Sequence, residues 1–422
     1  MSDKTCTLTG TINFDDGADG IIIGSDGITL DGNGQTIDGG VQLPISGADA
    51  GFTQDLDRSP TAPSNGHYGI LIDGKSNVTV KNIGELYNFH AHVVVKNSNN
   101  ITLLDNNIIH APYTAMVVMN SDNITMTSNN FSNNGSYSQC VVTIYESINV
   151  TLNQNDITSA SISSGYGFCI RASNGVDVDA NNIYNYMMGI GHIDGVPSSS
   201  NIQIRNMQFS NVKDLWIGGC SPSCSTTIVK SVSITGNTFD GISRALNLDH
   251  VENFTISDNI FKNASGEVVM FWGSDTGGHT ITGNTFENNS DVALHLGIAN
   301  NNDGSTITGN TFTNNNVAFA IGSKNNQFTN NNFVNNAVDI KDIADYAGQT
   351  LSTNTFSQNY WSDFDSAAET CYNDTPFDQF CDVPATFQIY HYSDPGYRAI
   401  TDSQPWVMQD GAMPSSPIPS PP

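Results

Sequence analysis

Short segments in which apolar and polar residues alternate run through this chain, such as Ala245-Leu246-Asn247-Leu248 and Phe254-Thr255-Ile256, separated by Asn, Gly, Ser and Asp. A period of two puts successive side chains on opposite faces and predicts strands rather than helices. The strands recur with a fixed phrase: Gly236-Asn237-Thr238-Phe239, Asp258-Asn259-Ile260-Phe261, Gly283-Asn284-Thr285-Phe286, Gly309-Asn310-Thr311-Phe312, Asn330-Asn331-Asn332-Phe333 and Thr353-Asn354-Thr355-Phe356. Its Phe positions step by 22, 25, 26, 21 and 23 residues, and Ile83, Ile108, Phe131, Ile157, Ile183 and Phe209 carry the same phase toward the N-terminus. A unit of that length cannot bury its apolar face alone, so successive units must stack, pair their strands in parallel and share one long core. The pattern predicts an all-β parallel β-helix, a solenoid of roughly twelve coils.

The Asn of the phrase has a mechanical reading. Asn tolerates the left-handed conformation of a turn, and stacked Asn side chains hydrogen-bond one another along a solenoid. Asn237, Asn259, Asn284, Asn310 and Asn354 are expected to form such a ladder, with the Phe two places later stacked inside.

The repeats are expected over 69–356. Residues 1–68 hold a strand, a glycine turn and a second strand between Asp26 and Gly39, suited to an N-terminal cap, then a Pro-bearing excursion from Val41 to Gly66 that is placed to wall a binding surface. After Phe356 the pattern stops, so 357–408 are expected as an irregular C-terminal cap. The Pro- and Ser-rich 409–422 read as an extended linker toward a further domain or anchor.

The 422 residues carry 14 Lys and Arg against 41 Asp and Glu, a net charge of −27. That balance excludes nucleic acid and anionic membranes as expected partners. No apolar run reaches the ~18 residues of a membrane span. Met1-Ser2-Asp3-Lys4 lacks the apolar core of a signal peptide, and the composition favours a mature extracellular or cell-surface chain given a start Met. Cys220 with Cys224 and Cys371 with Cys381 lie in irregular segments and are expected as disulfides of an oxidising compartment. Cys140 and Cys169 fall about one coil apart but at different strand positions, which argues against a bridge between them. Asn-x-Ser/Thr triplets at Asn77, Asn100, Asn123, Asn130, Asn134, Asn149, Asn253, Asn263, Asn288 and Asn373 are candidate glycosylation sites, although a repeat rich in Asn and Thr creates such triplets by composition alone.

Fixing the phase on the phrase separates inward from outward positions. In Leu246-Asn247-Leu248-Asp249 the leucines point in, so Asn247 and Asp249 point out. The same register yields one outward column of Leu71, Val94, Val117, Thr143, Cys169, His192, Trp216, Asn247, Met270, His295 and Ala320, and a second of Asp73, Lys96, Met119, Tyr145, Arg171, Asp194, Gly218, Asp249, Trp272, Gly297 and Gly322. Aromatic platforms flanked by polar groups suit a sugar-binding groove, which makes Tyr145, Trp216, Asn247, Trp272 and His295 candidate substrate contacts. Asp194 and Asp249 would stand about 10 Å apart along one column. That suits the acid and base of an inverting glycosidase, with Arg171 and His192 as further candidate catalytic groups. The competing reading is a surface ion pair between Arg171 and Asp194, with the Trp rings lying under loops.

The phrase, the repeat length and the closing Asn359-Tyr360-Trp361-Ser362-Asp363 resemble the NosD-like branch of right-handed parallel β-helix proteins, a scaffold similar to that of pectate lyases, polysaccharide epimerases and phage tailspikes. The resemblance implies a right-handed β-helix and three lines of function. One is polysaccharide binding, with glycosidase, lyase or epimerase chemistry. Another is a surface-layer or filament glycoprotein that assembles with itself. The third is a copper-accessory role, for which His192, Met270 and His295 supply ligand types in one column. It also implies calcium as a cofactor in the acidic C-terminal loop, at Asp365, Asp374, Asp378 and Asp382, where the plainer reading is a solvated acidic loop. The polygalacturonase motifs are absent; Gly191-His192-Ile193 only echoes one of them.

Overall fold

A computed structural model describes residues 4–15, 18–40, 67–112, 114–133, 140–159, 166–184, 187–191, 199–210, 215–218, 229–272, 277–297, 304–343, 353–362, 385–391, 397–403 and 405, in two units, 1–232 and 233–422. The strands of both units pair in parallel with the equivalent strand one coil on. Val78, Ile101, Ile124, Val150 and Val176 fall in one register in the first unit, and Ile256, Ile281, Ile307, Phe328 and Phe356 in the second. The chain is a parallel β-solenoid of about eleven turns. Parallel pairing already joins Lys4–Thr7 to Ile28–Asp31 and Ile12–Asn13 to Thr36–Asp38. Ala385–His391 and Tyr397–Asp402 form an antiparallel hairpin. Among the described residues no helix is long and apolar enough to cross a membrane.

The interior is built as stacks. In the second unit Phe239, Phe261, Phe286, Phe312 and Phe333 lie 4.8 to 5.1 Å apart, nearly parallel, and Trp361 completes the stack 4.3 Å from Phe333. Phe356, expected to end this stack, instead stacks on Phe328 at 4.6 Å. The Asn-x-aromatic phrase occurs twice in these last coils, and the copy at Asn354 belongs to the other sheet. In the first unit Ile108, Phe131, Ile157, Ile183 and Phe209 share a register, but Leu86 rather than Ile83 precedes Ile108.

Each ladder Asn receives two bonds on its side-chain oxygen, from the backbone N–H and the side-chain amide of the Asn one coil earlier. The second unit runs Asn237, Asn259, Asn284, Asn310, Asn331, Asn359, with N–H···O distances of 2.9 or 3.0 Å. Asn354 lies outside it and accepts from Asn326. Asn359 donates to Oδ2 of the fully buried Asp402 at 3.1 and 2.8 Å, and the Trp361 indole donates to the same oxygen at 3.1 Å. In the first unit Asn106, Asn129, Asn155 and Asn181 repeat the pattern, and Asn181 ends on the Met207 sulfur. The ladder Asn is not the left-handed residue of the turn. That conformation falls to the residue before it: Gly236, Asp258, Gly283, Gly309, Asn330 and Gln358 have φ between 56° and 67°. Glycine is favoured there because it takes positive φ without a Cβ clash.

In the long strands runs of two to five consecutive residues are buried where alternation would expose every second one, each run spanning a pair of inward neighbours: His92 and Val93, Ala115 and Met116, Val141 and Val142, then Ala245 and Leu246, Val268 and Val269, Ala293 and Leu294, Ala318 and Phe319. The strand therefore turns a corner at each pair, and the residues flanking it, three apart, face each other across a concave outer surface. Apolar clusters fill this corner: Tyr68, Ala91, Val94 and Val117 with Leu71 in the first unit, and Val292, Val317 and Ala320 with Val338 in the second.

His92 sits at one such corner, wholly buried, and burial, then the charge of His110, lowers its pKa to about 3. An unfolded His takes up a proton from about pH 6.5 downward while the folded one stays neutral, so stability present above pH 6.5 is lost as the pH falls toward 3, by up to about 1.4 kcal/mol per pH unit. Between pH 6.5 and 4.5, wild type should lose about 2 to 3 kcal/mol more than His92→Val in denaturant melts. Equal losses would show that His92 is not held neutral.

Candidate functional site

In the first unit the predicted columns are in register as Val117, Thr143 and Cys169, and as Met119, Tyr145 and Arg171. The next coil departs from expectation: Gly189 pairs with Cys169 and Gly191 with Arg171. Met187–Gly191 ends before His192, and His192 and Asp194 lie outside the described residues. The register steps from Cys169 to Gly189, fewer residues than the step to His192 that the repeat phase predicts. Trp216 pairs with Gly189 and is half-buried. Tyr145 and Arg171 are outward in register yet only 2% and 7% exposed, so Tyr145 presents no open ring platform.

Cys140 and Cys169 form a disulfide, with Cα atoms 5.8 Å apart, contrary to the sequence expectation. Cys140 is in register with Tyr166 and Cys169 with Thr143, positions too distant for a bridge on a flat sheet. The corner closes that distance: Cys140 stands on one wall, and Cys169 of the following coil on the facing wall.

The second unit uses the same diagonal for a polar pair. Asn247, Met270, His295 and Ala320 form the outward column, and Asp249 pairs with Trp272, whose side chain lies outside the described residues. Arg244 and Glu267 precede Asn247 and Met270 by three and stand on the facing wall. Glu267 Oε1 lies 3.2 Å from Nδ1 of His295, which is buried. The His295 hydrogen bond holds the Glu267 carboxyl below its usual range; burial opposes this, and the charges of His295, Arg244 and Lys341 reinforce it. On the neighbouring coil Asp249 Oδ1 lies 2.7 Å from Nδ1 of His250, both groups half-buried. Arg244, His250 and Glu267 escaped the column argument because strict alternation hides the corner. The signal available was a polar residue directly before two consecutive apolar ones, as in Arg244-Ala245-Leu246 and Glu267-Val268-Val269.

The triplet asparagines Asn77, Asn100, Asn123, Asn149, Asn253, Asn263 and Asn288 are exposed and left-handed, with φ from 55° to 57°; the first four are the second residues of strands and the last three lie in bends. Neighbours bond each other, Asn100 to Asn77 at 2.6 Å and Asn149 to Asn123 at 3.2 Å. Asn130 lies in a strand and donates to Asn107. Asn134, Asn373, Cys220, Cys224, Cys371, Cys381, Asp365, Asp374, Asp378 and Asp382 lie outside the described residues.

Residues 4–183 match the model of the right-handed β-helix region, and 163–366 match the model described as periplasmic copper-binding protein (NosD). Among the described residues no group of three or more His, Cys, Asp or Glu is placed to hold a metal; Met270 and His295 are register neighbours, and His192 lies outside the described residues. Similar solved structures include the Dettilon tailspike protein gp208, at 12% identity over 80% of this chain and 61% of that one, TM-score 0.42. PfbA, a surface adhesin of Streptococcus pneumoniae, is similar at 14% over 69% and 75%, TM-score 0.39. Pectate lyase Pel9A is similar at 14% over 83% and 77%, TM-score 0.33. The chain thus spans less than two thirds of the tailspike's length. No curated protein matches the sequence.

Proposed function

We propose, for a parallel β-solenoid whose residues 4–183 match the right-handed β-helix model, that it is an extracellular or surface protein binding a polysaccharide at the outer corner of its second unit. One observation carries the reading: two carboxylate–imidazole pairs, Asp249 with His250 and Glu267 with His295, stand on adjoining coils beside Asn247 and Arg244. A sugar hydroxyl donates one hydrogen bond and accepts others, and half-buried carboxylate, imidazole and amide groups offer both functions with little loss to water. The net charge of −27 favours a neutral glycan or one bridged by cations. The Cys140–Cys169 bridge supports an oxidising location.

A glycan array followed by calorimetry tests this. Wild type is expected to bind at least one neutral polysaccharide, and the Asp249→Asn, His250→Ala double variant to bind it at least about tenfold more weakly, the value of one charge-assisted hydrogen bond. Wild type that captures no glycan, or a variant that binds as wild type does, removes the reading.

A further inference from the structure

A second outer surface of the same unit has a different chemistry. Register places Thr255, Thr280, Thr306, Gln327 and Thr355 in one column and Ser257, Thr282, Thr308, Thr329 and Ser357 in another, two residues along each strand. Gln327 is the single position without a hydroxyl, and neither column carries a charge. Between them Ile256, Ile281, Ile307 and Phe328 are fully buried, which fixes both columns on the outer face. On the unit's other sheet the outward positions include Asp240, Lys262 and Glu287, with Asp240 and Lys262 ion-paired at 3.3 Å. The absence of charge is therefore particular to the hydroxyl face, in a chain of net charge −27.

The face is also pinned. Asn259, Asn284, Asn310 and Asn331 ladder the turns after these strands, and His279, Ser305, Asn326 and Asn354 accept backbone N–H groups in the turns before them. Hydroxyls link along the axis, Thr308 to Thr329 at 3.1 Å and Thr235 to Ser257 at 3.1 Å. The result is a two-dimensional lattice of hydroxyl and methyl groups repeating every ~4.8 Å between strands and ~6.6 Å along them. Aromatic platforms, which a sugar face needs, are missing from both columns.

We propose that this face binds ice. Those repeats are comparable to the spacing of oxygen rows on faces of hexagonal ice, so the outward Thr hydroxyls take the places of lattice waters while the Thr methyls fill the gaps between rows; Ser257, at the edge of the array, is buried. A charged group would orient water around itself and disrupt that match; the face has none. The proposal stands apart from glycan binding, which uses the corner.

Ice-crystal morphology and recrystallisation in thin frozen films provide the test. Wild type is expected to facet single crystals and arrest grain growth, the Thr282→Lys, Thr308→Lys double variant to lose most of that activity, and Thr285→Lys, Thr313→Lys on the other sheet to keep it. Thermal melts establish that the variants are folded; if the double variant is not, the single Thr308→Lys takes its place. Grain growth with wild type equal to that with the same mass of albumin overturns the proposal, and so does a folded Thr282/Thr308 variant as active as wild type.

Discussion

Asn284→Ala is expected to destabilise the second unit by about 3 to 5 kcal/mol, far beyond the loss of one side-chain contact. The Asn284 oxygen accepts from the Asn259 backbone and amide at 3.0 and 2.9 Å, and its own amide donates to the carbonyls of Ile256 and Thr282 and to Asn310. Alanine leaves those buried donors and acceptors without partners in a place water does not reach, at ~1 to 3 kcal/mol for each orphaned group that cannot relax. Asn284 has ordinary negative φ, so no backbone strain enters the comparison. Asn288→Gly, at an exposed turn, should stay within about 0.5 kcal/mol of wild type. Urea titrations with unchanged slope measure both. An Asn284→Ala loss no larger than that of Asn288→Gly would mean the ladder is decoration.

Phe286→Ala should cost about 3 to 5 kcal/mol as well, for a different reason. The ring is fully buried between Phe261 at 4.9 Å and Phe312 at 4.8 Å, and neighbours held by the Asn ladder and two sheets of parallel pairing have little freedom to collapse into the void. Phe286→Leu separates burial from ring stacking. If burial dominates, leucine loses no more than about 1.5 kcal/mol. A leucine loss that equals the alanine loss assigns the energy to the stacked rings.

The parallel solenoid, the Phe stack and most of the ladder were legible because they repeat: one phrase fixes a phase, and six copies average out local noise. Legibility failed where a coil breaks the period. At Met187–Gly191 a shorter step brought two glycines to the column places expected for His192 and Asp194. At Asn354 two copies of the phrase per coil made the ladder ambiguous, and the sequence carries no mark of which copy joins which sheet. The corner was missed for a geometric reason. Alternation assumes a straight strand, and a bend that buries two neighbours brings Cys140 to Cys169 and Glu267 to His295 although pairing register keeps both pairs apart.

The Asn ladder has a direction. From each Asn to the next, the backbone N–H and one side-chain N–H pass to the following coil, so a ladder made only of Asn always leaves one more pair of donors to satisfy. Asp402 closes that sequence, because a carboxylate accepts from Asn359 and Trp361 and has no amide of its own to place. The acid works as a stop codon written in hydrogen bonds. Coil number is then a free variable of this architecture: whole repeats can be inserted or removed upstream without altering the ending, since the terminator reads only the last asparagine it meets.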